Sequence, residues 1–320
     1  MGSGASHGSS DEPKTIAVFG ATGLLGGAVA RALLKDPTNY RVRAITRKPN
    51  NDKARKLAEK GAVIVTANMN DMESLEKALD GAYAVFLTTH YWEERNKEKE
   101  IVRGLNAIDA AVKQNVKHIV LNGSESVRKL IGKECNNLDS KAAIEEYLKE
   151  VGVTYTIIRL PFWYENFYGI FRPHKIKHGV YAIPLPIEDA AIDMICVKDI
   201  GPCVVSILDS PKQYKNKTIG LSADRMTTVD MAHVFSKHID KQFISPKIRT
   251  KDYEKFNFPE ARDLAAMFEL YQKNLAHRDI RLTKKLNPHV RTFDKWLERK
   301  LYKLEEVLAG DKDNEFEHQK

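Results

Sequence analysis

The stretch from Thr15 to Gly27, Thr-Ile-Ala-Val-Phe-Gly-Ala-Thr-Gly-Leu-Leu-Gly-Gly, constrains the fold more than any other part of the chain. A short apolar run, Ile16 to Phe19, reads as a buried strand. It breaks at Gly20, and an apolar-periodic segment from about Gly23 reads as a helix. Free backbone N–H groups and the positive end of the helix dipole converge at such a turn, which makes it an anion site. Gly20, Gly23 and Gly26 suit a tight turn, close approach of backbone to a pyrophosphate, and close packing of helix on strand. The pattern is G-x-x-G-x-x-G rather than G-x-G-x-x-G, so the mechanism is legible while the standard fingerprint is not. A plain strand-to-helix turn would use the same glycines, and the rest of the chain has to decide.

Downstream, apolar runs alternate with amphipathic segments. Strands are expected at Tyr40–Thr46, Ala62–Thr66, Ala82–Thr88, Val116–Leu121 and Val153–Leu160. Helices are expected to about Lys35 and at Lys53–Lys60, Met72–Leu79 (capped by Asp71), Glu93–Gln114 and from near Asp139. This rhythm predicts right-handed βαβ crossovers and an α/β, Rossmann-type doubly wound parallel sheet. Past Pro161 the rhythm changes. Short strands (Thr218–Leu221, Ile244–Arg249) mix with helices at Lys198–Leu208, Thr228–Ile239, Glu260–Gln272 and Phe293–Leu308. The predicted organisation is a dinucleotide-binding Rossmann domain over 14–160 and a smaller C-terminal α+β lobe over 161–309. That lobe completes the cleft, is not independent, and can return segments to the sheet.

At 320 residues there is enough chain to bury a large core. No uncharged apolar run is long enough for a transmembrane segment. The net charge of +8 is spread without a basic block or a helix-turn-helix signature, which argues against a nucleic-acid partner. Cys135, Cys196 and Cys203 form no C-x-x-C and are odd in number, so neither a disulfide framework nor a metal site is expected. Residues 1–13 read as a disordered leader and 310–320 as a disordered tail. Gly2 and Ser6 fit the N-myristoylation pattern, although Asp11 and Glu12 follow where an anchor would want basic residues.

Four strand ends carry the candidate chemistry. At the end of the second strand, where NAD binders usually place an acid, stand Arg47 and Lys48. A guanidinium can pair with a 2′-phosphate that an acid would repel, so Arg47 points to NADP(H). Asn68 and Met69 end the third strand, where an adenine ring would lie. Thr88, Thr89, His90, Tyr91 and Trp92 follow the fourth, with Thr89, His90 and Tyr91 as cofactor-side residues. Asn122, Gly123 and Ser124 end the fifth, and Arg159 to Asn166 the sixth. Short-chain dehydrogenases use a proton-donating Tyr with a Lys four residues on. No Y-x-x-x-K occurs; Asn137 stands four residues before Lys141, and an amide supplies no proton at neutral pH. An ordinary dehydrogenase is therefore not expected, and Lys141 is left to hold a ribose or nicotinamide-side oxygen.

The chain resembles the NmrA-like family of atypical short-chain dehydrogenase folds, and within it the animal redox-sensor branch. The resemblance rests on Val18 to Gly23 with Gly26-Gly27, Thr46-Arg47, Gly81 to Ala84, Tyr91-Trp92-Glu93 and Lys141. It continues through Glu145-Glu146-Tyr147, Arg159-Leu160-Pro161, Glu165-Asn166, Ile219 to Ser222 and Asp252 to Lys255. Phe258-Pro259 with Ala261 to Ala265, and Asp294 with Trp296-Leu297-Glu298, complete it. The glycine motif is shared by many families; Phe-Pro-x-Ala-Arg-Asp-Leu-Ala is far more specific. The resemblance implies an NADP(H)-binding sensor of the NADPH/NADP⁺ balance that changes conformation, oligomeric state (a cofactor-dependent homodimer) and protein partners, between cytoplasm and nucleus. Argininosuccinate synthase and NF-κB regulators are the partners it implies. Carried over by position, the cofactor contacts are Gly20, Ala21, Thr22, Gly23, Leu24, Leu25, Gly26, Arg47, Thr89, His90, Tyr91, Lys141, Trp163, Tyr164, Glu165 and Asn166. One departure falls on the long helix, where a family lysine aligns with Val102 and Arg103 is adjacent. An alternative is an NADPH-dependent reductase of a quinone or enone, using Lys141 with Trp92, Phe162, Trp163 and Tyr164 as an apolar lining.

Overall fold

A computed structural model describes residues 12–177 and 179–309. Gly2, the rest of the leader up to residue 11, and the 310–320 tail lie outside the described residues. Six strands open the chain: β1 Lys14–Val18, β2 Tyr40–Thr46, β3 Val63–Thr66, β4 Ala84–Leu87, β5 His118–Gly123 and β6 Tyr155–Arg159. Helices connect them: α1 Leu24–Leu33, α2 Asp52–Ala58, α3 Met72–Leu79, α4 Lys97–Lys113, then α5 Val127–Ile131 with α6 Asn136–Glu150. Beyond follow β7 Phe162–Trp163, β8 His174–Lys177, β9 Val180–Ala182, β10 Ile192–Ile195, β11 Lys217–Gly220, β12 Asp224–Met226 and β13 Gln242–Ile244. The helices of this part are α7 Val197–Asp209, α8 Pro211–Tyr214, α9 Thr228–His238 and α10 Thr250–Tyr253. They continue with α11 Ala261–Gln272, α12 Ile280–Leu286, α13 Phe293–Glu298 and α14 Leu301–Ala309.

The main sheet runs β11-β6-β5-β4-β1-β2-β3 with every pairing parallel. The order reverses at β1/β4, and at that switch point the two adjoining loops leave in opposite directions and open a crevice. Alternate residues of β1 explain why both faces are covered. Ile16 and Val18 pack with Leu25, Val29 and Leu33 of α1, with Leu57 of α2, and with α7. Ala17 and Phe19 pack instead with Leu75 and Leu79 of α3, Ile108 and Ala111 of α4, and Ile144 and Leu148 of α6. This is a Rossmann-type α/β fold, and β11 is its seventh strand, joined to the edge at β6 from within the C-terminal part.

The remaining chain builds two three-stranded sheets, β12-β10-β7 and β13-β9-β8, with helices packed around them. Their common core is aromatic: Phe162 with Phe167, Phe171 and Phe268, and Tyr164 with Phe293 and Trp296. A buried ionic clasp ties this part to the main sheet. Arg278, 2% exposed, meets both oxygens of Glu125 at 2.6 and 3.1 Å and the Leu160 carbonyl at 3.0 Å.

Three expectations are corrected. The helix foreseen at Glu93–Gln114 starts at Lys97, because the Asn96 side chain accepts from Lys99 N and caps it, and Arg95 turns the chain through a left-handed φ of 51°. Ile244–Arg249 is not a strand. Pairing with β9 ends at Ile244, and Pro246, lacking an N–H, begins a loop. Phe293–Leu308 is two helices that break at Arg299–Lys300; Phe293 and Trp296 of the first stack in the aromatic core, and Leu304 and Leu308 of the second are buried in the same cluster.

Candidate functional site

The β1–α1 turn forms first in the logic of the site. Gly20 takes φ +63°, the left-handed region where a side chain is strained, and its carbonyl accepts from Gly23 N at 2.8 Å. A Cβ on Gly26 would lie 2.4 Å from both the Phe19 and Gly20 carbonyl oxygens, so only glycine lets α1 press onto the end of β1. Gly23 is the N-cap of α1 and has no side chain to bond the first-turn N–H groups. Those donors are left facing outward with the positive end of the helix dipole, a cradle for phosphate oxygens.

Beside the turn lies a cleft of about 240 Å³ along the carboxyl ends of β1 to β4. It is lined by Gly20 and Thr22 from the turn, Thr46, Arg47 and Lys48 from the end of β2, and Asn68 and Met69 from the end of β3. Thr88, Thr89 and His90 follow β4, and Glu93, Glu100 and Arg103 close the wall. Arg47 is half exposed and forms an ion pair with Glu93, another residue of the cleft lining. Arg103, 14% exposed, pairs with Glu94 and donates to Asn70 Oδ1 at 3.1 Å. Its helical neighbour Val102 faces solvent, so the cation this helix brings to the cleft is Arg103.

Behind the β4 end sits a buried polar cluster. Glu100 Oε1 accepts from Thr89 Oγ1 at 2.5 Å and pairs with Lys141 Nζ at 2.6 Å, while Oε2 accepts from Ser140 Oγ. Lys141 also donates to Asn137 Oδ1 at 3.2 Å. The residue at the tyrosine position is therefore a hydrogen-bond acceptor for the lysine. Tyr91, buried against Trp92, keeps its proton more tightly than usual because of burial and the carboxylates of Asp263 and Glu260.

The cleft thus brings Gly20, Thr22, Arg47, Asn68, Met69, Thr89 and His90 together. Ala21, Gly23, Leu24, Leu25 and Gly26 shape the turn behind it, and Lys141 reaches it through Glu100. Trp163, Tyr164, Glu165 and Asn166 are not on its walls. Tyr164 is fully buried, its hydroxyl bonded to Asp224 at 3.1 Å and to the Arg291 carbonyl at 3.3 Å. Glu165 caps α7, accepting from Val197 N at 3.0 Å and from Cys196 Sγ at 3.2 Å. Glu93, Glu100 and Arg103 were not singled out from sequence as ligand contacts. Glu100 gives one retrospective signal, an acid at an inward position of an amphipathic helix that packs on α6.

A Rossmann sheet whose switch-point cleft joins a glycine turn to an arginine at the end of β2 defines a dinucleotide-binding class of fold. The chain belongs to the NmrA-like family, whose match covers residues 12–305. It is 27% identical over 315 residues to an NmrA-like family domain-containing protein of Dictyostelium discoideum, covering 91% of this chain and 99% of that one. Among solved structures it resembles NmrA, a negative transcriptional regulator in complex with NADP, with a TM-score of 0.79 at 18% identity over 94% of this chain and 98% of that one. It also resembles an NADPH-dependent quinone oxidoreductase from Escherichia coli complexed with NADPH, with a TM-score of 0.74 at 22% identity over 90% and 99%. No helix among the described residues is long and apolar enough to cross a membrane.

Proposed function

We propose that this chain binds NADP(H) and acts as a regulatory sensor of the NADPH/NADP⁺ ratio, passing the signal on through altered conformation, oligomeric state and protein association. The observation that carries the reading is Arg47, held at the mouth of the switch-point cleft beside an uncapped, glycine-shaped helix N-terminus. In this reading the first-turn N–H groups of α1 with Gly20 to Gly26 hold the pyrophosphate. Arg47 meets the 2′-phosphate, Asn68 and Met69 flank the adenine, and Thr89, His90, Tyr91 and Lys141 serve the nicotinamide half. The sensing role needs only two conformers that differ in cofactor affinity. Asn137 in place of an acid removes the ordinary proton donor of carbonyl reduction. Residues 14–160 hold most of this site and 161–309 complete the molecule around it; the protein would act in cytoplasm and nucleus. Native mass spectrometry with and without NADPH tests the reading, because it reports bound cofactor and subunit number together. One NADPH per chain with a changed subunit number supports it, and no bound NADPH refutes it.

A second reading is an NADPH-dependent reductase of a quinone or enone. It is favoured by Lys141, a cation that stays next to the cleft without a tyrosine partner. Steady NADPH oxidation with a small quinone panel, abolished by Lys141→Ala, supports this reading. No turnover across the panel removes it.

A further inference from the structure

Glu100 is a carboxylate where carboxylates are rarely found. It is 3% exposed, yet it lines the cleft, and three donors converge on it: Thr89 Oγ1, Ser140 Oγ and Lys141 Nζ. A buried acid so placed carries a large desolvation cost, which only close pairing offsets. Its position relative to the rest of the cleft is what gives it a task. The glycine turn lies at β1, and Arg47, Asn68 and Met69 lie on the β2 and β3 side. A dinucleotide laid across the switch point with its adenosine on that side puts its other half over the ends of β4 and β5. There Thr88 and Thr89, Asn122 and the Lys141–Glu100 pair are gathered, with Asn122 donating to Thr88 Oγ1.

The two redox forms of the nicotinamide ring differ by one unit of charge: the oxidised ring is cationic and the reduced ring neutral. An ammonium alone beside the ring disfavours the oxidised form, and in a poorly solvated cleft that repulsion acts over several ångströms. Glu100 cancels it. We propose that Glu100 is a specificity-determining residue whose carboxylate, paired to Lys141, sets the relative affinity of this protein for NADP⁺ and NADPH. The inference rests on the NADP(H) reading given above and adds to it the group that decides which redox state is favoured. Thr89 and Ser140 fix the carboxylate in place, so the charge pair is a permanent feature of the floor and not one assembled by the ligand.

The test is a pair of dissociation constants, for NADP⁺ and for NADPH, measured on the full chain and its variants by calorimetry. Glu100→Gln keeps the shape and leaves the lysine unpaired. It should weaken NADP⁺ relative to NADPH by about tenfold, equivalent to raising the midpoint potential of the bound two-electron couple by about 30 mV. Adding Lys141→Met to that variant should return the ratio to within about threefold of the original. If Glu100→Gln weakens both nucleotides equally, the residue is only structural and the proposal is overturned. If that variant does not fold, Lys141→Met alone carries the test: the ratio must move the opposite way, toward NADP⁺, and an unchanged ratio overturns the proposal. Failure of the unaltered protein to bind either nucleotide would instead refute the NADP(H) reading itself.

Discussion

His118 shows how much a single buried group controls. It starts β5, is 1% exposed, and its Nε2 lies 2.8 Å from Thr156 Oγ1. Thr156 Oγ1 in turn donates to the Tyr214 carbonyl at 2.9 Å, so the histidine is the donor in the first bond and Nδ1 is left without a partner. Burial pushes its pKa from 6.5 down to about 4. Between those values the unfolded chain binds a proton that the folded chain refuses. Stability is therefore full above pH 6.5 and falls as the pH drops through this window, by up to about 3 kcal/mol. Urea unfolding of the protein and of His118→Asn at pH 7 and at pH 4.5 checks this: the variant should lose less on acidification. Equal losses would contradict the assignment. At this scale the sequence was legible where backbone demanded a residue, as at Gly20 and Gly26. It was illegible where a side chain's worth depends on what folds against it. Arg47 could be read from its place at a strand end, whereas its partner Glu93 could not, because the loop between β4 and α4 that presents it has no periodic pattern.

At the scale of elements, α1 against β1 is the contact on which the cleft depends. Gly26 permits it on one side, and Gly201 of α7 allows close packing on the other, since a Cβ there would come within 2.4 Å of the Ala28 carbonyl oxygen. Gly26→Val should force the helix off the strand end, with a loss of about 1–3 kcal/mol by overpacking and a loss of nucleotide binding beyond it. By contrast Gly81→Ala meets nothing within 4 Å and costs only the left-handed φ, about 1 kcal/mol. Chemical denaturation of the two variants separates the cases, and equal destabilisation would contradict the packing argument. Regular elements were readable to the residue where pattern and cap agree: Tyr40–Thr46 has alternation and strand formers, and Met72–Leu79 follows its cap Asp71. Phe293–Leu308 was not, because apolar spacing persists across the Arg299–Lys300 break and hides it.

Across the whole molecule, the parallel core was legible because each βαβ unit announces itself through local periodicity. The two small sheets were not. Their strands are short, β7 and β10 are neighbours only through distant chain, and they pack around an aromatic cluster drawn from far-apart segments. The same limit applies to the Trp163–Asn166 loop, where Tyr164 bonds to Asp224 and Glu165 to the start of α7, both partners far along the chain. The molecule that results has a cleft at the switch point, a buried Glu100–Lys141 charge pair behind the end of β4, and Asn137 as a hydrogen-bond partner of Lys141. Under the proposed function, the protein selects the 2′-phosphorylated cofactor through Arg47. Calorimetric titration of NADPH and NADH into the protein and into Arg47→Ala tests it most directly. A charge-assisted contact at a half-exposed arginine should favour NADPH by about tenfold, and Arg47→Ala should abolish that preference while leaving NADH binding nearly unchanged. Equal affinities for NADPH and NADH in the unaltered protein would contradict the account.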